Sequence, residues 1–385
     1  MENLYEKLQV MESEKAPLSR LQRLKAMNGP LLSWYRNHAR ILPWRENPES
    51  YRVWISEIML QQTRVEAVKP YFNRFLEELP DVQTLAEVDE ERLLKLWEGL
   101  GYYNRARNLK KAAQVIMEEY DGALPASYEK LLELPGIGSY TAGAIASIAY
   151  GIPVPAVDGN VLRVLSRVLA SHEDILKQSV KHQMEEELRQ TMPAENASEF
   201  NQGLIEIGAI VCVPNGQPKC GECPLASICL ARKQGLLDSI PYKARKKPRK
   251  IQERTILLVE AGDKVAIEKR PDHGLLAALY QFPNLEGKLE EEEVIRFLEH
   301  GTGEVTHIER VGDAKHVFSH VEWHMTGYRV SVELRTEREC KAEEECEDEV
   351  SGAGAYFFVE REEIREKYPI PNAFAAYTKL LIGES

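Results

Sequence analysis

Glu57 lies in the run VWISEIMLQQTRV (53–65), with Ile55, Ile58, Met59 and Leu60 around it. A carboxylate in that company loses hydration, which raises its pKa toward the range where a proton donor works at neutral pH. Periodicity alone slightly favours a solvent-facing residue of an amphipathic helix. Residues 131–142 read LLELPGIGSYTA: an apolar helix end, a Pro-Gly-Ile-Gly turn and a second helix begun by Ser139. Gly136 and Gly138 let that turn expose consecutive backbone N–H groups, and the helix start adds its positive end, so a phosphate can be held without side-chain charge. A helix C-cap followed by an N-cap fits the same letters. Gly136, Gly138 and Gly143 do not make the G-x-G-x-x-G of a dinucleotide site. Cys212, Cys220, Cys223 and Cys229 follow C-x7-C-x2-C-x5-C. Such a thiolate quartet in an intracellular chain binds zinc or an iron–sulfur cluster, and spacing alone does not decide between them. An Asp before Gly, as in VDGN at 157–160, is by itself a common turn or cap residue.

These residues need a scaffold, and 385 residues exceed what one hydrophobic core usually serves, so two domains are expected. From about 18 to 240 apolar residues recur at three- and four-residue spacing between Pro and Gly breaks, the pattern of a helical domain. Residues 241–250 carry six basic residues and two prolines and read as a linker. Short β-type runs at 255–259 and 328–334, with a helix near 291–300, make the remainder α/β. The net charge of −12 argues at first against nucleic acid, but residues 1–250 carry +1 and residues 251–385 carry −13. The first part is therefore free to present a positive face. Apolar residues at 43% and no long apolar run exclude membrane insertion, and 1–16 lack a secretion signal, so a cytoplasmic protein is expected. Cys340 and Cys346 stand apart in an acidic stretch, 339–349, read as a solvated loop.

LPGIGSYTA followed by VDGN resembles the helix-hairpin-helix glycosylase superfamily, and SEIMLQQT resembles its MutY-type adenine glycosylases. The resemblance runs from about 31 to 381 and implies a multidomain fold. An all-α helix-hairpin-helix glycosylase domain with an iron–sulfur subdomain would occupy 18–240, its six-helix part at about 43–154 and its cluster part at 18–42 and 155–240. A linker at 241–252 would lead to a C-terminal α/β Nudix-like domain at 253–385, although the glutamates of a Nudix box are absent. The resemblance makes Glu57 the acid acting on adenine N7 and Asp158 the charged partner at the sugar, two carboxylates suited to breaking a glycosidic bond through an oxocarbenium-like state. Tyr140 stands where endonuclease III-like relatives carry a lysine, and tyrosine cannot form a Schiff base, so base excision without efficient strand cleavage is implied. Asn160 is implied to order the site, and Trp44 and Arg45 to line the adenine pocket. Gln62, Thr63, Leu100 and Tyr102 match positions that wedge into the duplex, with Arg105 and Arg107 within reach of phosphates by residue type. Phe318, Ser319 and His320 match a loop that reads 8-oxoguanine opposite the adenine.

The cysteines are implied to hold one 4Fe–4S cluster of structural character, although the first gap has seven residues where six are usual. The expected function is removal of adenine mispaired with 8-oxoguanine or guanine from double-stranded DNA by a monomer. The alternatives are another glycosylase of the superfamily, thymine-mismatch or bifunctional, and a non-catalytic iron–sulfur DNA-binding protein.

Overall fold

The computed structural model of the chain describes residues 18–244, 248–301, 303–334 and 356–383. Cys340, Cys346, the acidic stretch around them and the first 16 residues lie outside the described residues. Packing divides the chain into two compact units, Met1–Ala86 with Lys111–Arg245 and Glu87–Lys110 with Lys246–Ser385.

The first unit is helical, and its helix starts are written locally. Ser19 and Gln22 form a capping box ahead of Arg20–Lys25, and Ser127 accepts from the Lys130 amide ahead of Tyr128–Glu133. Gly136 takes a φ of +76° in the turn that hands this helix to Ser139–Ile148, a conformation that favours glycine. Gly159–Leu169 and Ala197–Ile210 pack with Asn28–His38 around Leu31, Val161, Val164, Phe200 and Leu204. Between Ser139–Ile148 and Gly159–Leu169 the chain crosses 152–157 outside any helix or strand. Buried Asn201 replaces the missing ladder. Its Nδ2 donates to the Val154 carbonyl and to Ser147 Oγ, both at 2.8 Å, and its Oδ1 accepts from the Ala156 amide at 3.1 Å. That staple fixes the segment that delivers Asp158.

The second unit is built on one seven-stranded sheet, with β1 Lys250–Ala261, β2 Lys264–Lys269, β3 Tyr280–Gln281, β4 Asn284–Glu286, β5 Gly303–Val317, β6 Val321–Leu334 and β7 Phe357–Glu360. The main path runs β3-β2-β1-β6-β5, with β4 on β1 and β7 on β2. The β1–β6 pair is parallel and the others antiparallel. Its two faces bury separate cores. Ile256, Leu258, Trp323 and Phe374 lie on one side, and Leu257, Val259, Val294 and Leu298 on the other, as alternation along a strand requires. The strands are longer than the sequence runs that announced them, and β5 carries too many charged residues to be read as a strand from its letters.

Residues 87–110, assigned by linear pattern to the helical domain, pack in the second unit. Lys95 Nζ donates to the carbonyls of Ile364 (3.0 Å) and Tyr368 (3.3 Å), Asn372 donates to the Gly99 carbonyl, and Glu91 accepts from Lys269 and Tyr280. A helical period carries no information about such partners more than 170 residues away. Among the described residues no helix is long and apolar enough to cross a membrane.

Candidate active site

Five separated segments of the first unit close around one cavity of about 460 Å3. Its lining includes Trp44 and Arg45 from Pro43–Glu46, Glu57 from Ser50–Leu60, Gln62 and Thr63 just beyond that helix, Tyr140 from Ser139–Ile148, and Asp158 with Asn160 at the start of Gly159–Leu169. Residues 114 positions apart, Trp44 and Asp158, thus face one space. Gln62 takes a φ of +59°, a strained value for a side chain of its size, at the turn ending its helix.

The two carboxylates are both desolvated but differ in their partners. Glu57 is buried, and the Tyr140 hydroxyl donates to its Oε2 at 2.5 Å. Burial pushes its pKa from 4.5 up to about 7; the tyrosine hydrogen bond opposes that rise, Asp158 adds to it and Arg45 opposes it. Burial also raises Tyr140 well above 10, so the phenol keeps its proton and remains a donor. Asp158 caps Gly159–Leu169. Its Oδ1 accepts from the Val161 amide at 2.8 Å and its Oδ2 from Asn160 Nδ2 at 2.7 Å. Burial raises its pKa as well, but the helix N-terminus, Asn160 and Arg163 all pull the other way. Of the pair, Asp158 is the one equipped to carry charge and Glu57 the one equipped to carry a proton.

Behind the cavity, buried Arg163 joins Asn160 to the cysteine region. Its Nη2 donates to Asn160 Oδ1 (2.8 Å) and to the Gly208 carbonyl (2.7 Å), and its Nε donates to the Cys212 carbonyl (2.8 Å). A Cβ at Gly208 would stand 2.5 Å from Asn160 Cβ, closer than two carbons pack, so the Ala197–Ile210 helix can approach this residue only as glycine. Gly208→Ala is expected to push Asn160 off Asp158. It should cost about 1–3 kcal/mol of stability by overpacking and roughly tenfold or more in the single-turnover rate of whatever reaction the two carboxylates carry out. Thermal melts and single-turnover assays on the same preparation check both, and an unchanged rate would show that Asn160 need not be held.

Cys212, Cys220, Cys223 and Cys229 line one further cavity with Arg167 and the aliphatic side chains of Val164, Val168 and Leu225. Arg167 Nη1 lies 3.2 Å from Cys212 Sγ, and burial pushes the Cys223 thiol up to about 11. Although the four share a cavity, no group of three or more His, Cys, Asp or Glu among the described residues is arranged to hold a metal ion.

Leu100, Tyr102, Phe318, Ser319 and His320 line a separate groove of about 730 Å3 in the second unit. Phe318 is turned inward, its ring edge-on to His316 at 4.5 Å and Trp323 at 4.9 Å. Its carbonyl accepts from Arg249 Nε at 2.9 Å, and the Lys250 amide donates to the His320 carbonyl at 3.2 Å. The anchored turn leaves Ser319 and His320 exposed, with Tyr102 Oη 3.5 Å from Ser319 Oγ. Leu100 is only 6% exposed against 49% for Tyr102, so of these two side chains Tyr102 is the one presented at the surface. The expectation that Arg105 and Arg107 reach phosphates is corrected. Arg105 is buried, its Nη2 donating to the carbonyls of Leu100 and Gly101 at 3.0 Å, and desolvation lowers its pKa to about 10. Arg107 is taken up by Glu90 (2.8 Å) and the Ala277 carbonyl (2.7 Å). Both shape the groove wall.

Residues 55–190 match the family model described as HhH-GPD superfamily base excision DNA repair protein, and residues 254–380 match the NUDIX domain model. The adenine DNA glycosylase of Homo sapiens is 35% identical over 371 residues, covering 81% of this chain and 68% of that one. That of Buchnera aphidicola from Acyrthosiphon pisum is 35% identical over 298 residues, covering 77% and 83%. The chain belongs to the adenine DNA glycosylase family. Among solved structures, a thermostable thymine-DNA glycosylase matches with a TM-score of 0.50 and 27% identity, over 55% of this chain and 97% of that one. This glycosylase is a DNA N-glycosylase, a hydrolase of base excision repair that binds DNA and releases adenine, with a helical helix-hairpin-helix domain and a Nudix-like domain.

Within this adenine glycosylase the cavity gathers Glu57, Tyr140, Asp158, Asn160, Trp44, Arg45, Gln62 and Thr63, while Leu100, Tyr102 and the 318–320 turn belong to the groove of the other unit. Gly136 and Gly138 line neither. Sequence reasoning missed Arg40 and Gln202, which line the cavity, and Glu206 behind it. Glu206 had the same signal as Glu57, a carboxylate between isoleucines.

Proposed function

We propose that this glycosylase removes adenine mispaired with 8-oxoguanine or guanine, and that it is monofunctional, leaving the strand uncut. The reading rests above all on one observation: a buried carboxyl with a pKa near 7 shares a cavity with a helix-capping aspartate. Extruding the adenosine from the stack costs a few kcal/mol, which contacts in the cavity must offset. Glu57 then gives its proton to adenine N7, and the electron pair of the bond between the sugar C1′ and N9 departs with the base. Asp158 stays ionised beneath the developing oxocarbenium ion and stabilises it. The Glu57 carboxylate, held by Tyr140, takes a proton from the water that adds to C1′. No amine is supplied at position 140, where lyase relatives carry their nucleophile.

The groove with Tyr102, Ser319 and His320 is the candidate reader of the base opposite, and the 135–138 turn is a candidate phosphate contact. The four cysteines are proposed to hold one 4Fe–4S cluster. All four line one cavity, a thiolate quartet is the donor set such a cluster takes, and Arg167 offers a donor to Cys212. When bound, it would supply structural cross-linking of the 212–229 loop and no redox step. Arg163 and Arg167 orient that loop with or without it. A monomer in the cytoplasm completes the reading.

The test is single-turnover release of adenine from duplexes with 8-oxoguanine, guanine, cytosine or thymine opposite, with borohydride present in a parallel arm. Release opposite 8-oxoguanine and guanine, with no trapped adduct, is expected. Release that ignores the opposite base would overturn the mispair reading, and a covalent adduct would overturn monofunctionality.

A further inference from the structure

Glu206, on the Ala197–Ile210 helix, has a side chain with 0% exposure yet accepts four hydrogen bonds. Its Oε1 takes Arg40 Nε at 2.7 Å and the Arg40 amide at 3.1 Å, and its Oε2 takes Arg40 Nη2 at 3.0 Å and Arg45 Nη2 at 2.8 Å. Arg45 is fixed a second time by Nη1 on the Arg40 carbonyl at 3.1 Å, and its guanidinium stands 5.7 Å from the ring centre of Tyr35. Arg40 and Arg45 line the cavity that holds Glu57 and Asp158, whereas Glu206 does not. Such a carboxylate acts on the reaction only through the arginines it holds. Those bonds keep it well ionised, with a pKa of about 2.

We infer that Glu206 is a positioning residue for excision, locking Arg45 in the adenine cavity and neutralising much of the arginine charge beside Glu57. The physical reason is directional. A free guanidinium next to a buried carboxyl turns toward it and favours its ionised form, which would strip the acid of its proton. With both terminal nitrogens of Arg45 committed elsewhere, its pull on Glu57 stays smaller than the effect of burial, as the order of causes at Glu57 shows. The groups facing Glu57 are Tyr140, Asp158 and Arg45; those facing Glu206 and its arginines are Tyr35, Glu66 and Glu199. Among the described residues, the Glu206 carboxylate is the one side chain that bonds both Arg40 and Arg45. The inference rests on Glu57 as the acid.

Glu206→Gln removes one negative charge and leaves Arg45 closest to Glu57. The alkaline limb of the single-turnover rate is expected to move to lower pH by about one unit, the small end of the shift from a nearby cation. The rate should therefore fall about twofold at pH 6 and about ninefold at pH 8, a loss about fivefold greater at the higher pH. Affinity for a duplex containing a tetrahydrofuran product analogue should stay within threefold. Arg40→Gln, which removes a cation and keeps the Glu206–Arg45 pair, should move the limb to higher pH, and it decides the matter if Glu206→Gln does not fold. A limb that stays in place in either folded variant, with the rate lowered equally at every pH, reduces Glu206 to a packing residue. A wild-type profile with no ionisation near neutrality would instead sink the assignment of Glu57 itself, so the two failures read differently.

Discussion

Glu57→Gln is expected to lower single-turnover adenine release by at least about 10^3-fold, the range set by loss of a positioned general acid, while making the protein more stable at pH 8. The two effects share one cause. Burial raises the Glu57 pKa from 4.5 to about 7, so the folded state prefers the protonated form. For a group raised in the folded state, stability is full below the unfolded value and is lost as pH rises through the folded one. Here that window is about pH 4.5 to 7. Above it the ionised, buried carboxylate costs on the order of 3 kcal/mol relative to a neutral side chain. Glutamine keeps an acceptor for Tyr140 and cannot ionise, so part of that cost is recovered. Thermal melts at pH 8 should show a rise of a few degrees, and the gain should vanish by pH 4.5. A variant that is inactive and also less stable at pH 8 would mean that Glu57 is solvated or better paired than its surroundings indicate.

The second large effect is at Asp158, where Asn is expected to cost on the order of 10^3-fold in release, the scale of removing one electrostatic stabiliser from a dry site. Asparagine caps a helix nearly as well as aspartate, and its Oδ1 can still accept from the Val161 amide. Folding and affinity for the mispaired duplex should therefore be retained. Measured together, binding and release separate an enzyme from a non-catalytic binder: a binder loses nothing on this substitution. Affinity that collapses along with the rate would place Asp158 in the architecture of the helix start rather than in the chemistry.

Much of this site was readable because its chemistry is concentrated in short strings. Glu57 among isoleucines, the PGIG turn before Tyr140 and the aspartate of VDGN each lie in a run of under ten residues. The structure brings Glu57, Tyr140 and Asp158 to one cavity, with Asp158 capping its helix. What could not be read depends on packing across long separations. The isoleucines on either side of Glu206 hint at burial but say nothing of its partners; its meaning comes from Arg40 and Arg45, more than 160 positions earlier. Gly208 looks like an ordinary helix defect until Asn160 is seen against it. Arg105 reads as a phosphate ligand by residue type, whereas carbonyls at Leu100 and Gly101 and the ring of Trp97 draw it inward. Residues 87–110 have a helical period that says nothing of the sheet-bearing unit with which they pack.

The measurement closest to the central claim is the pH dependence of the single-turnover release rate of the wild-type enzyme on adenine opposite 8-oxoguanine. The rate should be flat or gently varying below pH 7 and fall about tenfold per unit above it, as protonated Glu57 is depleted. Residual activity in Glu57→Gln should lack that limb. A wild-type rate that is unchanged between pH 6 and 9 would contradict the account, because no proton on a buried carboxyl would then be limiting.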